Sequence, residues 1–165
     1  MKSINITAPN DITTSPEIEL MPHIFVAGGI SNTANWQNSM IELLSDEGVV
    51  TYNPRREHYS TLEPKLLVEQ ITWEYENLQK ADMILFWFSN QTLCPITLYE
   101  LGRWGNSSHK TIFVGIEPGY LRQQDVEIQT KLARPDVNIK YSVKELASEI
   151  KAELEFQRML KDKIA

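Results

Sequence analysis

Short apolar runs that alternate with helical stretches, five times over, are the feature of this sequence that most narrows its fold. His23–Ile30 (HIFVAGGI) is an apolar run that ends in a glycine turn, the pattern of a strand buried on both faces. Trp36, Met40, Leu43 and Leu44 then share one face of a helix. Gly48 ends that helix, and Val49–Asn53 is a second strand. Pro54 breaks the strand into a loop that runs through Thr61. Pro64 suits the first turn of a helix, in which Leu67, Ile71, Tyr75 and Leu78 mark the expected buried stripe. Asp82 precedes a third strand, Met83–Phe88, followed by a helix over Ile96–Trp104 and a fourth strand, Lys110–Ile116. A helix over Gln123–Leu132 and a short fifth strand, Val137–Tyr141, come next. Ser142 and Glu145 form a capping box that opens a last helix reaching to about Lys161.

Strand and helix in this alternation predict an α/β fold of three layers: a five-stranded parallel sheet covered on both faces. A flavodoxin-like order, 2-1-3-4-5 in the numbering of these five strands, is expected. Ligands of such sheets bind outside the carboxyl ends of the strands. The 165 residues fit one domain. Residues 1–21 are polar, carry Pro9 and Pro16, and read as a polar N-terminal tail, which leaves 22–165 as the ordered domain.

Charge and residue usage exclude several partners. The net charge of −6 argues against a nucleic-acid polymer or an anionic membrane, both of which select basic faces. No apolar run reaches the roughly 18 residues of a membrane span, and the N-terminus lacks the apolar core of a signal peptide. The single cysteine, Cys94, permits no internal disulfide, so a cytoplasmic setting is expected. His23, His58 and His109 show no ligand spacing. No metal and no cofactor are expected.

Several motifs fall at strand ends. Ala27-Gly28-Gly29-Ile30-Ser31 follows the first strand, where glycines let the backbone approach a ligand and a helix N-terminus offers free N–H groups. A tight turn that simply needs glycine reads equally well, and the pattern does not match a dinucleotide fingerprint. Asn53-Pro54-Arg55-Arg56 follows the second strand; its arginines either hold an anion by paired hydrogen bonds or form ion pairs with Glu57 and Glu63. Glu74, beside Trp73, sits at the margin of the buried stripe and either leans over the pocket or faces water. Phe86-Trp87-Phe88 ends the third strand, and its last aromatics, Trp87 among them, either fill the core or wall a pocket. Cys94-Pro95-Ile96-Thr97-Leu98-Tyr99-Glu100-Leu101-Gly102 carries the strongest signal. Glu100 lies among apolar neighbours early in a helix, where the dipole is expected to keep it ionised as a nucleophile. No nearby histidine activates Cys94, which reads as structural.

Together AGGIS, NPRR, the Trp-Glu pair, AD-x-I-x-F-W-F and P-I-T-x-Y-E-L-G resemble the nucleoside 2-deoxyribosyltransferase family, in a divergent branch, over about residues 23 to 150. The resemblance implies a glutamate in the E-L-G motif, here Glu100, that attacks C1′ of a 2′-deoxynucleoside. It implies a second carboxylate eight residues before the aspartate that opens the third strand, which is Glu74 counted from Asp82. The substrate side is then formed by Ala27, Gly28, Gly29, Ile30, Ser31, Asn53, Arg55, Arg56, Trp87 and Asp82. Phe25 stands where the family usually has a tyrosine, and Cys94 where it often has an aspartate. The expected activity is cleavage or transfer of an N-glycosidic bond on a (deoxy)nucleoside or a nucleoside 5′-monophosphate, with a homo-oligomer implied by the family. An NAD-type glycohydrolase is a related alternative. A non-catalytic nucleotide-binding sensor or interaction module is an alternative of a different class.

Overall fold

A computed structural model of the chain describes residues 1–12, 15–56 and 63–164. Five strands form one all-parallel sheet: β1 (Ile4–Thr7), β2 (His23–Gly28), β3 (Val50–Asn53), β4 (Met83–Phe88) and β5 (Thr111–Ile116), in the order β1-β3-β2-β4-β5. The helices are α1 (Pro16–Glu19), α2 (Trp36–Leu43), α3 (Pro64–Lys80), α4 (Pro95–Trp104), α5 (Gln123–Ala133) and α6 (Val143–Ile164). The strands alternate their side chains between two cores, as a pleated sheet covered on both sides must. Ile24, Val26, Met83, Leu85, Trp87 and Phe113 pack with α2 and α6. Phe25, Ala27, Tyr52, Ile84, Phe86, Phe88 and Val114 pack with α3, α4 and α5.

The α/β flavodoxin-like expectation is met by β3-β2-β4-β5, in the order read from the sequence. The two edges differ slightly. Within the segment read as a polar tail, Ile4–Thr7 form β1 on the free edge of β3. Ile6 is buried, and Ser3 anchors the start through its N–H to the Ser45 carbonyl and its hydroxyl to that of Leu44. The expected strand Val137–Tyr141 shrinks to one bridge between Gly115 and Lys140. The turn after Pro135 and the cap at Ser142 leave too little chain between them for a longer ladder. That cap forms as the capping box predicts: Ser142 Oγ accepts from Glu145 N at 3.1 Å, and Glu145 reaches back to Tyr141 N at 3.2 Å. Loop residues through Thr61, with Glu57 and His58, lie outside the described residues.

One helix is rotated from its expected register. The stripe Leu67, Ile71, Tyr75 faces outward, with 43%, 56% and 45% of each residue exposed; of the expected set only Leu78 is buried. The buried face of α3 is instead Gln70, Trp73, Asn77 and Leu78. Trp73 sets this rotation. Its ring packs on Phe25 and Tyr52 at centroid distances of 6.2 and 6.3 Å, and its Nε1 donates to the Asn10 carbonyl at 2.8 Å. Positions 71 and 75, two residues either side on a 100° per residue helix, then point nearly away from the sheet.

Candidate active site

At the carboxyl edge of the sheet, the turn after β2 meets the loop before α4. Gly28 has no room for a side chain, since a Cβ there would lie 2.2 Å from the Trp36 ring. A Cβ on Gly29 would touch Cys94 Sγ at 3.0 Å, so the AGGIS and CPIT motifs are neighbours in space. The Gly29 carbonyl accepts three hydrogen bonds, from Thr33 Oγ1 (2.9 Å), Trp36 Nε1 (3.1 Å) and Gln37 Nε2 (3.1 Å). Ile30 is half-buried and Ser31 exposed.

Arg55 braces this turn from the end of β3. Its Nε donates to Gln37 Oε1 at 2.8 Å, and one terminal nitrogen donates to Thr33 Oγ1 and to the Thr33 and Ala34 carbonyls. Arg56 forms an ion pair with Glu69 at 3.0 Å. Among the described residues Arg56 thus pairs with Glu69 rather than Glu63, and both arginines hold protein acceptors. Asn53 is buried and accepts from the Arg55 amide at 3.0 Å through Oδ1. Sequence pattern could not separate a ligand arginine from a bracing one, because the acceptors lie about twenty residues away.

The two glutamates lie on adjacent helices, both half-buried, Glu74 on α3 and Glu100 on α4. Burial is the larger cause that pushes the Glu100 carboxyl up to about 8, and the Glu74 carboxylate adds to it by like-charge repulsion. Burial also raises Glu74, opposed by the hydrogen bond it accepts from Gln70 Nε2 at 2.7 Å. Burial and the neighbouring charge thus favour the protonated form of Glu100, against the ionised form expected from its place in the helix. Glu100 is the sixth residue of α4, and the dipole acts mainly within the first turn. Gln70 is fully buried, and its amide nitrogen also donates to the Pro54 carbonyl at 2.8 Å. Hydrogen bonds thus run from the NPRR motif through Gln70 to Glu74, whose charge acts on Glu100. The sequence reading missed Gln70, although its spacing of four residues from Glu74 puts both on one helix face.

The family model for nucleoside 2-deoxyribosyltransferase-like proteins matches residues 21–120, which hold both glutamates, Gln70, Arg55 and the glycine turn. The chain belongs to this family. Among curated proteins, none matches the chain.

Against this nucleoside 2-deoxyribosyltransferase-like frame, two residues expected at the substrate lie elsewhere. Trp87 is 3% exposed and packs in the α2–α6 core, with its ring centroid 6.2 Å from that of Trp36. Alternation along β4 sends Phe86 and Phe88 toward α3 and α4 and Trp87 the other way. Asp82 stands before the first residue of β4, at the amino edge of the sheet, where its Oδ2 accepts from His23 N at 2.8 Å. Asp82 serves as a sheet brace there, remote from the carboxyl edge. Phe25 is core, its ring packed at a tilt against that of Trp73. Cys94 is buried at φ +46 and caps α4 without a side-chain hydrogen bond to it. Glu117 went unnoticed in the sequence: it accepts from Ser89 Oγ at 2.7 Å and Asn90 N at 2.9 Å and ties the β4 and β5 loops together. Two shallow, open concavities among the described residues, one by Ser39, Leu43 and Val143 and one along residues 4–7 and 10–12, do not include either glutamate.

The described residues contain no group of three or more metal-ligating side chains. No described helix is long and apolar enough to cross a membrane.

Proposed function

We propose that this protein cleaves or transfers the N-glycosidic bond of a (deoxy)nucleoside, with Glu100 acting at C1′ and Glu74 as its acid–base partner. Family membership supports glycosyl transfer of the nucleoside deoxyribosyltransferase-like kind. The observation that supports the assignment to these residues is a pair of partly buried carboxyl groups on α3 and α4 within the matched region, where burial and the Glu74 charge raise the Glu100 carboxyl. Perturbed carboxyl pairs of this kind serve glycosyl chemistry, where one group must donate a proton and the other must be ionised.

In the reacting form Glu100 is ionised and the pair's proton sits on Glu74, whose own affinity for a proton is raised by burial. The Glu100 carboxylate meets the developing positive charge at C1′ as the bond to the base breaks. The bonding electrons leave with the base nitrogen, which takes the proton. A second base then attacks C1′ in a transferase, or water does in a hydrolase, and the pair regains its proton. Arg55 and Arg56 are held by protein partners, which favours a nucleoside over its 5′-monophosphate. No cofactor enters these steps.

The test is incubation with deoxynucleosides, ribonucleosides, their 5′-monophosphates and NAD, read by chromatography for free base. Base release by the wild type, lost by at least about a thousandfold in Glu100→Gln, is the expected result. Tight nucleoside binding without release from any substrate would place the chain among non-catalytic sensors and sink the proposal.

A further inference from the structure

We propose that Gln70 is a positioning residue that fixes where the proton of the carboxyl pair can sit: it holds Glu74 Oε1 as an acceptor and leaves the other oxygen of Glu74 to carry the proton. Gln70 precedes Glu74 by one turn of α3, so the two side chains share a face of the helix. Its Nε2 donates to Glu74 Oε1 at 2.7 Å and to the Pro54 carbonyl at 2.8 Å. Gln70 is fully buried, and close packing holds such a side chain in one rotamer.

The Pro54 carbonyl decides how the amide is turned. That carbonyl also accepts from the Arg56 N–H at 3.0 Å, which ties it into the turn after β3. An amide side chain donates only from its nitrogen. Turned over, Gln70 would set its oxygen against the Pro54 carbonyl oxygen with no hydrogen between them. Gln70 therefore gives a hydrogen to Glu74 Oε1 and cannot take one from it. A carboxyl oxygen that carries its own hydrogen is the weaker acceptor of the two, so a protonated Glu74 bears its hydrogen on Oε2, and the bond from Gln70 survives protonation.

An apolar residue would fill position 70 with less desolvation; what the amide adds is a donor of fixed direction. On the glycosidic reading, from which this consequence follows, the donor serves the acid step. Burial raises the Glu74 carboxyl, and the Gln70 bond is the influence that opposes it. Glu74 then releases its proton to the leaving base more readily, and from one defined oxygen. The cations on the neighbouring segments are engaged elsewhere. Arg55 donates to Gln37 and Thr33, Arg56 pairs with Glu69, and Arg103 lies over the Tyr75 and Trp104 rings. On α4, Glu100 is the group that senses the Glu74 charge.

Two measurements on the full chain test this without substrate, so the result is independent of base release. The first follows the Gln70 side-chain amide of the wild type by nitrogen-15 NMR through the titration of Glu74. Both amide protons are expected to stay hydrogen-bonded and slow to exchange on either side of the titration. Loss of the bond to Glu74 on protonation overturns the proposal. The second is a carbon-13 titration of both carboxyls in Gln70→Met, which keeps the bulk and removes the donor. The Glu74 midpoint is expected to rise, because its carboxylate loses a hydrogen bond, and the Glu100 midpoint to fall, because a protonated Glu74 no longer repels it. A merely structural role would loosen the packing, and entering water would lower both midpoints together. That outcome, or two unchanged midpoints, overturns the proposal. Asn77→Ala disturbs the same buried face of α3 and removes no donor from Glu74; it is expected to leave both midpoints in place, and opposite shifts equal to those of Gln70→Met would overturn the assignment to Gln70.

Discussion

Gln37 and Gln70 are both fully buried, one on each side of the sheet, and their fates differ. Gln37, on α2, uses both ends: its oxygen accepts from Arg55 and its nitrogen donates to Gly29. Gln70, on α3, gives both hydrogens away, to Pro54 and Glu74, and its buried oxygen has no partner among the described residues. The surroundings repeat the contrast. Beneath α2 and α6, Ile24, Val26, Met83 and Leu85 meet Met40, Leu44, Leu146 and Ile150, all fully buried. Beneath α3 and α4, polar Gln70 and Asn77 take up buried surface, two carboxyl groups are half-buried, and an apolar stripe faces out. One side of the sheet is built for stability. The other accepts the cost of burying polar groups, which is the usual condition for shifting a carboxyl's pKa.

The largest effect expected from this contrast is on the stable side. Leu146→Ala deletes a fully buried side chain between α6 and the sheet and is expected to cost about 2–5 kcal/mol in chemical denaturation, by lost transfer energy and the cavity left behind. A loss below about 1 kcal/mol would mean that this core carries no more of the stability than the other side. At the boundary between the two sides, Arg55→Ala leaves Gln37 Oε1 without its described donor and removes a second donor from Thr33. An expected loss of about 1–3 kcal/mol comes with faster amide exchange over residues 29–34, and exchange that stays at the wild-type rate contradicts the bracing role.

The smallest effect has the opposite sign. Glu100 titrates at about 8 in the folded chain against 4.5 for a free glutamate. The folded state therefore holds a proton that the unfolded chain releases. Stability from this group is complete below about pH 4.5 and is lost as the pH rises through 8. Glu100→Gln removes that loss. Its melting temperature is expected to match the wild type in acid and to exceed it above pH 8. A gap between the two proteins that does not change with pH would refute the burial cost.

The stable side was the legible one. Apolar runs located β2 to β5, and the stripe on α2 pointed inward as periodicity predicts, because nothing there competes with hydrophobic burial. Legibility failed where another demand won. On α3 the stripe Leu67, Ile71, Tyr75 looks like any buried face, but the bulk of Trp73 and the Gln70–Glu74 pair take the inward side. β1 escaped notice because INIT has only two apolar residues and borrows its stability from the edge of β3. Trp87 and Asp82 were assigned to the substrate from their place in a motif, without the face or edge that the strand gives them. Glu100 was singled out by its apolar neighbours, a local signal. Its protonation was not legible, since it depends first on burial by the folded chain and then on a carboxylate 26 residues away on another helix.

The coupling of those two carboxyls is the centre of the account, and a carbon-13 titration of the Glu100 side-chain carboxyl measures it without any assumption about substrate. The wild-type signal is expected to titrate near 8, and Glu74→Gln is expected to lower it by the part of the shift that the neighbouring charge adds, leaving the larger part that burial causes. A Glu100 signal that titrates near 4.5 in the wild type, or one that Glu74→Gln leaves where it was, would contradict the account.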